Sequence, residues 1–480
     1  MQNLQNNLEK NASQEPERQF HIQSGWDWYL VLCALGIFII ALFLHFWQLG
    51  KIPYPVFDEI WFGRYAEEYL EGKPTWEGHP PLGKYFIMIG ILLFGHNEIG
   101  YRFLDASFGS IMPLLVIGLV YRLTYKRNFA LLTGLFVSSD GLFLVESRLS
   151  LINIFLVACG VTSQIFLIAG LENKRKLRTF LLCCAGLMLG ATASVKWNGL
   201  GFSLLLFLLV MLVWAIAKFS PKKLERLGIL AEIIKLHWWQ YLLCFVAMPI
   251  AFYLVQWLPL FMLNPGGTAL LNGWESIPNF GKLIVSVHQH ILWWHSSDIV
   301  TSIDPEHPAH PYCSSAISWA VSARPVGYYF QNNDGYFSVI QGLGNPILWW
   351  FSTLAIVVTT ITSFLSKFLP RFHKSTNGSN DYLLLGYFSN YAPWLIVKRC
   401  LFIYHYMSAA VFSFMALAWL VSQMLEQKGF LRYLGYAIIS AVVLSQIFFM
   451  PIWLGLPILS DDFYHRIWFM PEKISGFNWI

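Results

Sequence analysis

Between Pro53 and Lys84 the chain reads PYPVFDEIWFGRYAEEYLEGKPTWEGHPPLGK, a stretch rich in side chains that can move protons or hold anions. An adjacent carboxylate pair, Asp58 and Glu59, is followed by Arg64, by an imidazole ahead of two prolines, His79-Pro80-Pro81, and by Lys84. A carboxylate can take the proton of a hydroxyl nucleophile, and arginine or lysine can hold a phosphate. Neighbouring residues in a helix or turn point about 100° apart, so Asp58 and Glu59 do not reach the same atom. Asp58 is the candidate base, and Glu59 is left to orient an acceptor or a cation. The two prolines remove backbone donors and hold His79 extended.

Three later clusters add cations and rings. The segment SDGLFLVESRLSLINIF at 138–155 sets Glu146 and Arg148 at a tight turn between apolar runs. A charge facing lipid there costs about 2.5–3.5 kcal/mol at mid-membrane, so these side chains should face a polar cavity; an interfacial arginine pairing with lipid phosphate is the plainer alternative. SVKWNGLG at 194–201 places Lys196 and Trp197 before an Asn-Gly turn. Any membrane interface attracts Trp, which makes the lysine the stronger signal. The stretch 263–345 carries His307, His310, Tyr312, Ser314, Trp319 and Arg324. Its H-x-x-H is interrupted by Pro308 and lacks a third ligand, so no metal site is read from it. Finally, FSNYAPWLIVKRCLFIYHYMSAAVFSF at 388–414 holds Lys398-Arg399 and His405-Tyr406.

These groups sit on a frame of apolar segments. Hydrophobic residues are 56% of 480 and charged residues 12%, and runs of about twenty apolar residues recur throughout, which reads as an all-α polytopic membrane protein. Spans are expected near 28–47, 102–122, 128–145, 150–170, 179–195, 199–218, 240–262, 346–366, 382–397, 401–422 and 431–450. The polar, Asn/Gln-rich first 25 residues have no signal-peptide pattern, so the first apolar run is expected to be retained. Basic connections at 125–128, 172–178, 218–226, 366–374 and 426–432 follow alternate spans and should face the cytoplasm. The N-terminal tail 1–27 then lies inside. The apolar stretch 85–95 is short for a span and would reverse that polarity by crossing, so it is expected along the interface; twelve spans with an external N-terminus is the second arrangement. The chain divides into a module 28–262 with external loop 48–101, a long external loop 263–345, a module 346–450 and an external tail 451–480. Most of the seven cysteines lie in apolar segments, which argues against a disulfide framework. The net charge of +5 is modest, and no nucleic-acid partner is expected.

F-D-E, then about twenty residues, then H-P-P-L-G-K and an apolar segment resembles the first external loop of the protein O-mannosyltransferases, membrane glycosyltransferases that use a polyprenyl-phosphate sugar donor. H-P-Y-x-S, Trp and R-P-V-x-Y-Y look like that family's large external loop, and the Lys398-Arg399 and His405-Tyr406 region is similar to its late pair of spans. The resemblance covers most of residues 52–480. It implies a GT-C-type fold of about 11 transmembrane helices with interfacial helices in the first external loop. The activity it implies is inverting transfer of mannose to Ser/Thr hydroxyls of secreted or membrane proteins. No cofactor is then needed, since the lipid-linked sugar is a co-substrate, and no metal is expected. Matching chemistry to residues makes Asp58 the base, with Arg148 first among the ligands of the donor phosphate and Lys84, Lys196 and Arg399 its partners. Arg64, His79, Trp197, His310, Tyr312, Trp319, His405 and Tyr406 are expected to position substrates. The expected partners are the donor, membrane lipid and a polypeptide acceptor at the translocon; the expected place is the plasma membrane, with the site on the external or periplasmic face. The chain departs from many family members in carrying Asn153 where they have Asp. Its long loop has no room for the domain that eukaryotic members insert, which suggests a bacterial-type member. Two other readings are a GT-C transferase that moves another sugar to a lipid or glycan, as the aminoarabinose transferases do, and a transporter. The second lacks the expected internal repeat and mid-membrane charges.

Overall fold

The computed structural model describes residues 27–73, 78–263, 277–296, 310–368, 378–397, 399–470 and 477–480. Its helices are α1 (Trp28–Phe46), α2 (Glu59–Leu70), α3 (Leu82–Phe94), α4 (Glu98–Thr124), α5 (Arg127–Ser138), α6 (Gly141–Glu146), α7 (Asn153–Glu172), α8 (Arg175–Val195) and α9 (Leu200–Phe219). They continue with α10 (Trp238–Met262), which contains one π-helical turn, α11 (Ile277–Trp294), α12 (Pro346–Phe368), α13 (Gly378–Tyr391), α14 (Met407–Glu426), α15 (Phe430–Leu454) and α16 (Ser460–Arg466).

Nine helical segments among the described residues are long and apolar enough to cross a bilayer. The expected spans 128–145 and 382–397 are each built from two shorter pieces. α5 stops at Ser138, and Asp140 starts α6 by accepting from the Phe143 amide at 3.1 Å. Asp140 also accepts from the Asn345 amide at 2.9 Å and the Trp349 indole at 2.6 Å, so the break docks α12. Gly141 is required at this contact, because a Cβ there would lie 1.9 Å from the Trp453 ring. α13 likewise gives way to a 3-10 turn at Ala392–Ile396, where Pro393 cannot supply a backbone donor.

Ion pairs and close contacts identify the two ends of the bundle. Arg127 lies 3.6 Å from Asp27, Arg122 pairs with Glu172, Arg178 pairs with Glu232, and Gly378 abuts Leu227. The start of α1 and the basic connections at 125–128, 172–178 and 218–226 thus gather at one end, while most of the connection 366–374 lies outside the described residues. At the other end, Arg102 near the start of α4 donates to the carbonyls of Leu49 at 3.2 Å and Ile52 at 3.1 Å, just after α1. The chain therefore leaves α1 and enters α4 at the same end. The 13-residue α3 lies between them and does not add a crossing.

A three-stranded antiparallel sheet is an addition to the all-helical expectation. β1 (Val326–Asn333) pairs with β2 (Tyr336–Gly342) through a two-residue Asp334-Gly335 turn, and β2 pairs with β3 (Pro457–Leu459). Gly335 adopts φ 86°, the left-handed geometry such a turn demands. The tail after α15 is also packed rather than loose. Trp479 is fully buried, its indole donating to the Ser322 carbonyl at 2.8 Å. One apolar core runs through both membrane modules, with α14 packed against α5 and α13 against α9.

The site end is held by a buried ion pair. Glu59 accepts from Arg102 Nε at 2.8 Å and Nη2 at 2.9 Å, and also from the amides of Val56 at 2.9 Å and Ser150 at 2.6 Å. Both side chains are nearly inaccessible, at 2% and 3%. Removing one partner from such a pair leaves a buried charge uncompensated. Arg102→Met should therefore destabilise the protein by about 3–5 kcal/mol, while adding Glu59→Gln should restore part of the loss. Thermal unfolding of the detergent-solubilised protein, monitored for both variants, checks this.

Candidate functional site

Four connections converge at the Arg102 end: the first loop, the α6–α7 turn, the α8–α9 turn and the segment before α14. Phe57 adopts φ 51°, a left-handed backbone uncommon for a bulky residue, immediately before the carboxylate pair. Glu59 is then committed to the interior, while Asp58 stays partly exposed at the convergence. The Tyr404 hydroxyl and the charge of Lys196 lie where both favour the Asp58 anion. Burial raises its pKa above the usual carboxylate value, and those two neighbours pull it back.

Lys196 occupies an extended residue between α8 and a 3-10 turn at Trp197–Gly199. Its Nζ lies 3.5 Å from Asn153 Oδ1 and 5.2 Å from the centre of the Tyr404 ring. Burial and the nearby Arg399 push its pKa down to about 8, although Asp58 and Glu146 favour its charge. Asn153 continues the chain by donating to Glu146 Oε2 at 2.8 Å, and the Tyr328 hydroxyl donates to the other Glu146 oxygen. Arg399 makes no hydrogen bond or ion pair among the described residues and lies where it influences Lys196, His79, His295 and His405. The result is one carboxylate and two cations with donors to spare, rimmed by imidazoles and phenols.

The other expected cations are committed elsewhere. Arg148 donates to the carbonyls of Leu44 at 2.6 Å and His45 at 3.0 Å, closing the end of α1. Those last carbonyls of a helix have no intrahelical partner, and a guanidinium satisfies two at once. Lys84 is fully buried and donates to the His79 and Pro80 carbonyls at 3.0 and 2.7 Å, fixing the turn ahead of α3. Arg64 is exposed and pairs with Glu68 one turn along α2 at 2.8 Å. Glu59, expected beside the reaction, belongs to the Arg102 pair.

Among the expected positioning residues, His79 lies in the convergence with its ring 5.1 Å from His295. His405 is also there, stacked on Trp319 at 5.9 Å and edge-on to Trp394 at 4.4 Å. Trp319 supports that ring from behind, its indole donating to Ser314 at 2.8 Å. Tyr406 points into the core instead, its hydroxyl meeting Tyr387 at 3.2 Å. Tyr404 faces Asp58 in its place, because residues two apart on the 3-10 turn Ile403–Tyr406 point in different directions. Trp197 stacks on His288 and donates to the Tyr253 hydroxyl at 2.9 Å, anchoring α11. His310 is exposed and packs on Phe57 and Phe402, whereas Tyr312 receives the Arg324 guanidinium on its ring. Lys398 and His307 lie outside the described residues. Sequence reasoning assigned no role to Tyr328, Tyr404 or His295; Tyr328 lies in the R-P-V-x-Y-Y pattern, while nothing local separates Tyr404 and His295 from ordinary interface aromatics.

A disulfide between Cys313 and Cys400 corrects the expectation from cysteine placement. The sequence places Cys400 inside an apolar segment, yet the chain is irregular at 399–402, and its neighbour Arg399 lies within the influence of the site residues. The Ser314 amide adds a hydrogen bond to the Leu401 carbonyl at 2.8 Å beside the bridge.

Two family models match the chain. One, described as dolichyl-phosphate-mannose-protein mannosyltransferase, matches residues 35–97 and 89–263; the other, the C-terminal four-transmembrane region of protein O-mannosyltransferase, matches 280–472. A polyprenol-phosphate-mannose–protein mannosyltransferase of Mycolicibacterium smegmatis is 26% identical, covering 92% of each chain. In shape, the chain is similar to the Saccharomyces cerevisiae protein O-mannosyltransferase Pmt1-Pmt2 complex bound to the sugar donor, with a TM-score of 0.75 at 15% identity over 93% of this chain and 92% of that one. ArnT from Cupriavidus metallidurans gives a TM-score of 0.51 at 12% identity, covering 90% and 77%.

The covalent link between the two loops has a direct check. Cys33, Cys159, Cys183, Cys184 and Cys244 are free, so denatured, unreduced protein should take up five equivalents of a maleimide-polyethylene glycol, and reduced protein seven. Cys313→Ser should give equal uptake in both states.

Proposed function

The chain belongs to the protein O-mannosyltransferase family of membrane glycosyltransferases, and from that premise we propose that it transfers mannose from a polyprenyl-phosphate-mannose donor to Ser or Thr hydroxyls of polypeptides, by a single inverting displacement at the convergence around Asp58. The observation that carries this reading is the meeting of one carboxylate, Asp58, with Lys196 and Arg399, whose donors are not used up among the described residues. The acceptor oxygen attacks the anomeric carbon and its proton passes to Asp58. The bond from that carbon to the phosphate oxygen breaks on the opposite face, and the electron pair leaves with the polyprenyl phosphate. The donor is a phosphodiester monoanion, and the polyprenyl phosphate monoester that leaves gains a second negative charge, which needs positive charge beside it rather than a general acid.

Lys196 and Arg399 are assigned to that phosphate, in place of Arg148 and Lys84. Tyr404 holds the base, and Tyr328, Glu146 and Asn153 form the hydrogen-bonded wall that fixes Lys196. His79 and His405 line the donor side, and Trp319 orients His405. The site lies at the end of the bundle opposite the basic connections, which supports an external active site by the charge rule for membrane loops. A disulfide beside Arg399 supports the same assignment, since such bonds persist in oxidising compartments. The plasma membrane and a polypeptide emerging from a translocon fit this sidedness.

The test is transfer of mannose from polyprenyl-phosphate mannose to a Ser/Thr-rich peptide by purified protein. Asp58→Asn should lower kcat by about 10²–10⁴. Lys196→Ala and Arg399→Ala should each raise the donor KM by about 10- to 100-fold, and Arg148→Lys should leave it unchanged. Absence of peptide mannosylation by the folded parent protein would refute the reading.

The pH profile follows from the same residues. Asp58 acts as its anion, so activity should climb as pH rises through its raised pKa. Lys196 acts as its cation, so activity should fall as pH passes about 8. Replacing Lys196 by Arg should move the alkaline limb upward while leaving the acid limb in place.

A further inference from the structure

The long external loop returns to the first loop at the end of α11. There Trp294 lies so close to Gly78 that a Cβ on residue 78 would fall 2.2 Å from the indole Cδ1. The next residue, His295, places Nε2 at 2.8 Å from the Gly78 carbonyl. A carbonyl only accepts, so Nε2 carries the proton and Nδ1 presents a lone pair. That Nδ1 is buried and has no hydrogen-bond partner among the described residues. The ring lies beside His79, within the influence of Arg399 and Lys196. The far side of α11 is held in turn, since His288 accepts from the Tyr253 hydroxyl at 2.9 Å while stacking on Trp197.

A buried acceptor without a donor is costly, and in a native site it marks where a ligand supplies the missing group. We propose that His295 Nδ1 accepts a hydrogen bond from a hydroxyl of the donor sugar, which makes His295 a residue that determines sugar specificity. This assignment rests on the mannosyl-transfer reading above. The donor phosphate cannot fill the role, because a phosphodiester monoanion has no proton to give. The acceptor hydroxyl cannot either, because its proton goes to Asp58. The acceptor's backbone amides are also donors, but the ring lies beside His79 and within the influence of Arg399, the residues assigned to the sugar donor, where sugar hydroxyls are the donors at hand. Burial and the charges of Arg399 and Lys196 push the His295 pKa down to about 4, so the ring stays neutral and its lone pair available near neutral pH.

The experiment measures peptide mannosylation with polyprenyl-phosphate mannose and with its 2-, 3-, 4- and 6-deoxy analogues. The parent should lose about tenfold in kcat/KM with one analogue, the effect of leaving one buried site group unpaired. His295→Phe, which keeps a ring but removes the acceptor, should lose about as much with the complete donor and no longer distinguish that analogue. His295→Asn retains an acceptor near the Nδ1 position and should still distinguish it, which keeps the test open if the Phe variant folds poorly. Affinity for sugar-free polyprenyl phosphate should be unchanged in both variants, an outcome that a general collapse of the site would not give. A deoxy penalty that persists undiminished in His295→Phe overturns the assignment. If the parent transfers no mannose to peptide at all, the functional reading fails instead.

Discussion

The contact between Glu59 and Arg102 sets the geometry of everything around it. One carboxylate gathers the guanidinium of α4, the amide of Val56 and the amide of Ser150, and that guanidinium reaches three carbonyls of the segment after α1. The first loop, α4 and the α6–α7 turn thereby share one anchor in a region where water is largely absent. Two ions removed from water hold only if their remaining hydrogen-bonding capacity is met, and here nearly every donor and acceptor has a named partner. Because Glu59 is fixed in this way, its neighbour Asp58 must point elsewhere. The left-handed turn at Phe57 delivers it to the cavity.

The same economy separates the cations. A guanidinium or ammonium that donates to the open carbonyls of a helix end or a proline turn is held to the frame by them. Arg148 and Lys84 are of this kind, and they close the frame at α1 and α3. Lys196 and Arg399 retain their capacity because each sits at a break between helices. Lys196 has an extended backbone, and Arg399 is held by a neighbour bridged to the long loop. Charge in the site is therefore concentrated where the chain is irregular, which a membrane tolerates only where the backbone lines a protein cavity.

The long loop between α10 and α12 contributes more than a cover. It enters the site twice, through α11 with His295 at its end and through Tyr328 on β1, and it is joined covalently to the Arg399 segment. β2 and the buried Trp479 fix it from the other side, the Gln341 amide donating to the Trp479 carbonyl. Elements separated by hundreds of residues thus define a single pocket, and each is weakly constrained without the others.

Apolar run length was enough to show a polytopic helical membrane protein, because the bilayer imposes it directly, whereas the breaks inside the expected spans 128–145 and 382–397 were not legible in it. The first-loop motif marks Asp58 as a candidate, and the lysine of the SVKWNGLG turn marks Lys196 as another. The partner of Glu59 was not legible, since an arginine four residues into a span carries no mark of the carboxylate 43 positions earlier that it meets. The Cys313–Cys400 bridge and the His295–Gly78 contact, at separations of 87 and 217 residues, were hidden for the same reason. Tyr404 and Tyr406 could not be ranked, because their facing depends on the 3-10 turn that carries them. The sequence by itself determined which residue types lie at the site end of the bundle. Only the tertiary structure decided which of those charges are consumed in holding the fold and which remain for a substrate, because hydrogen-bonding capacity is spent between residues that only packing brings together.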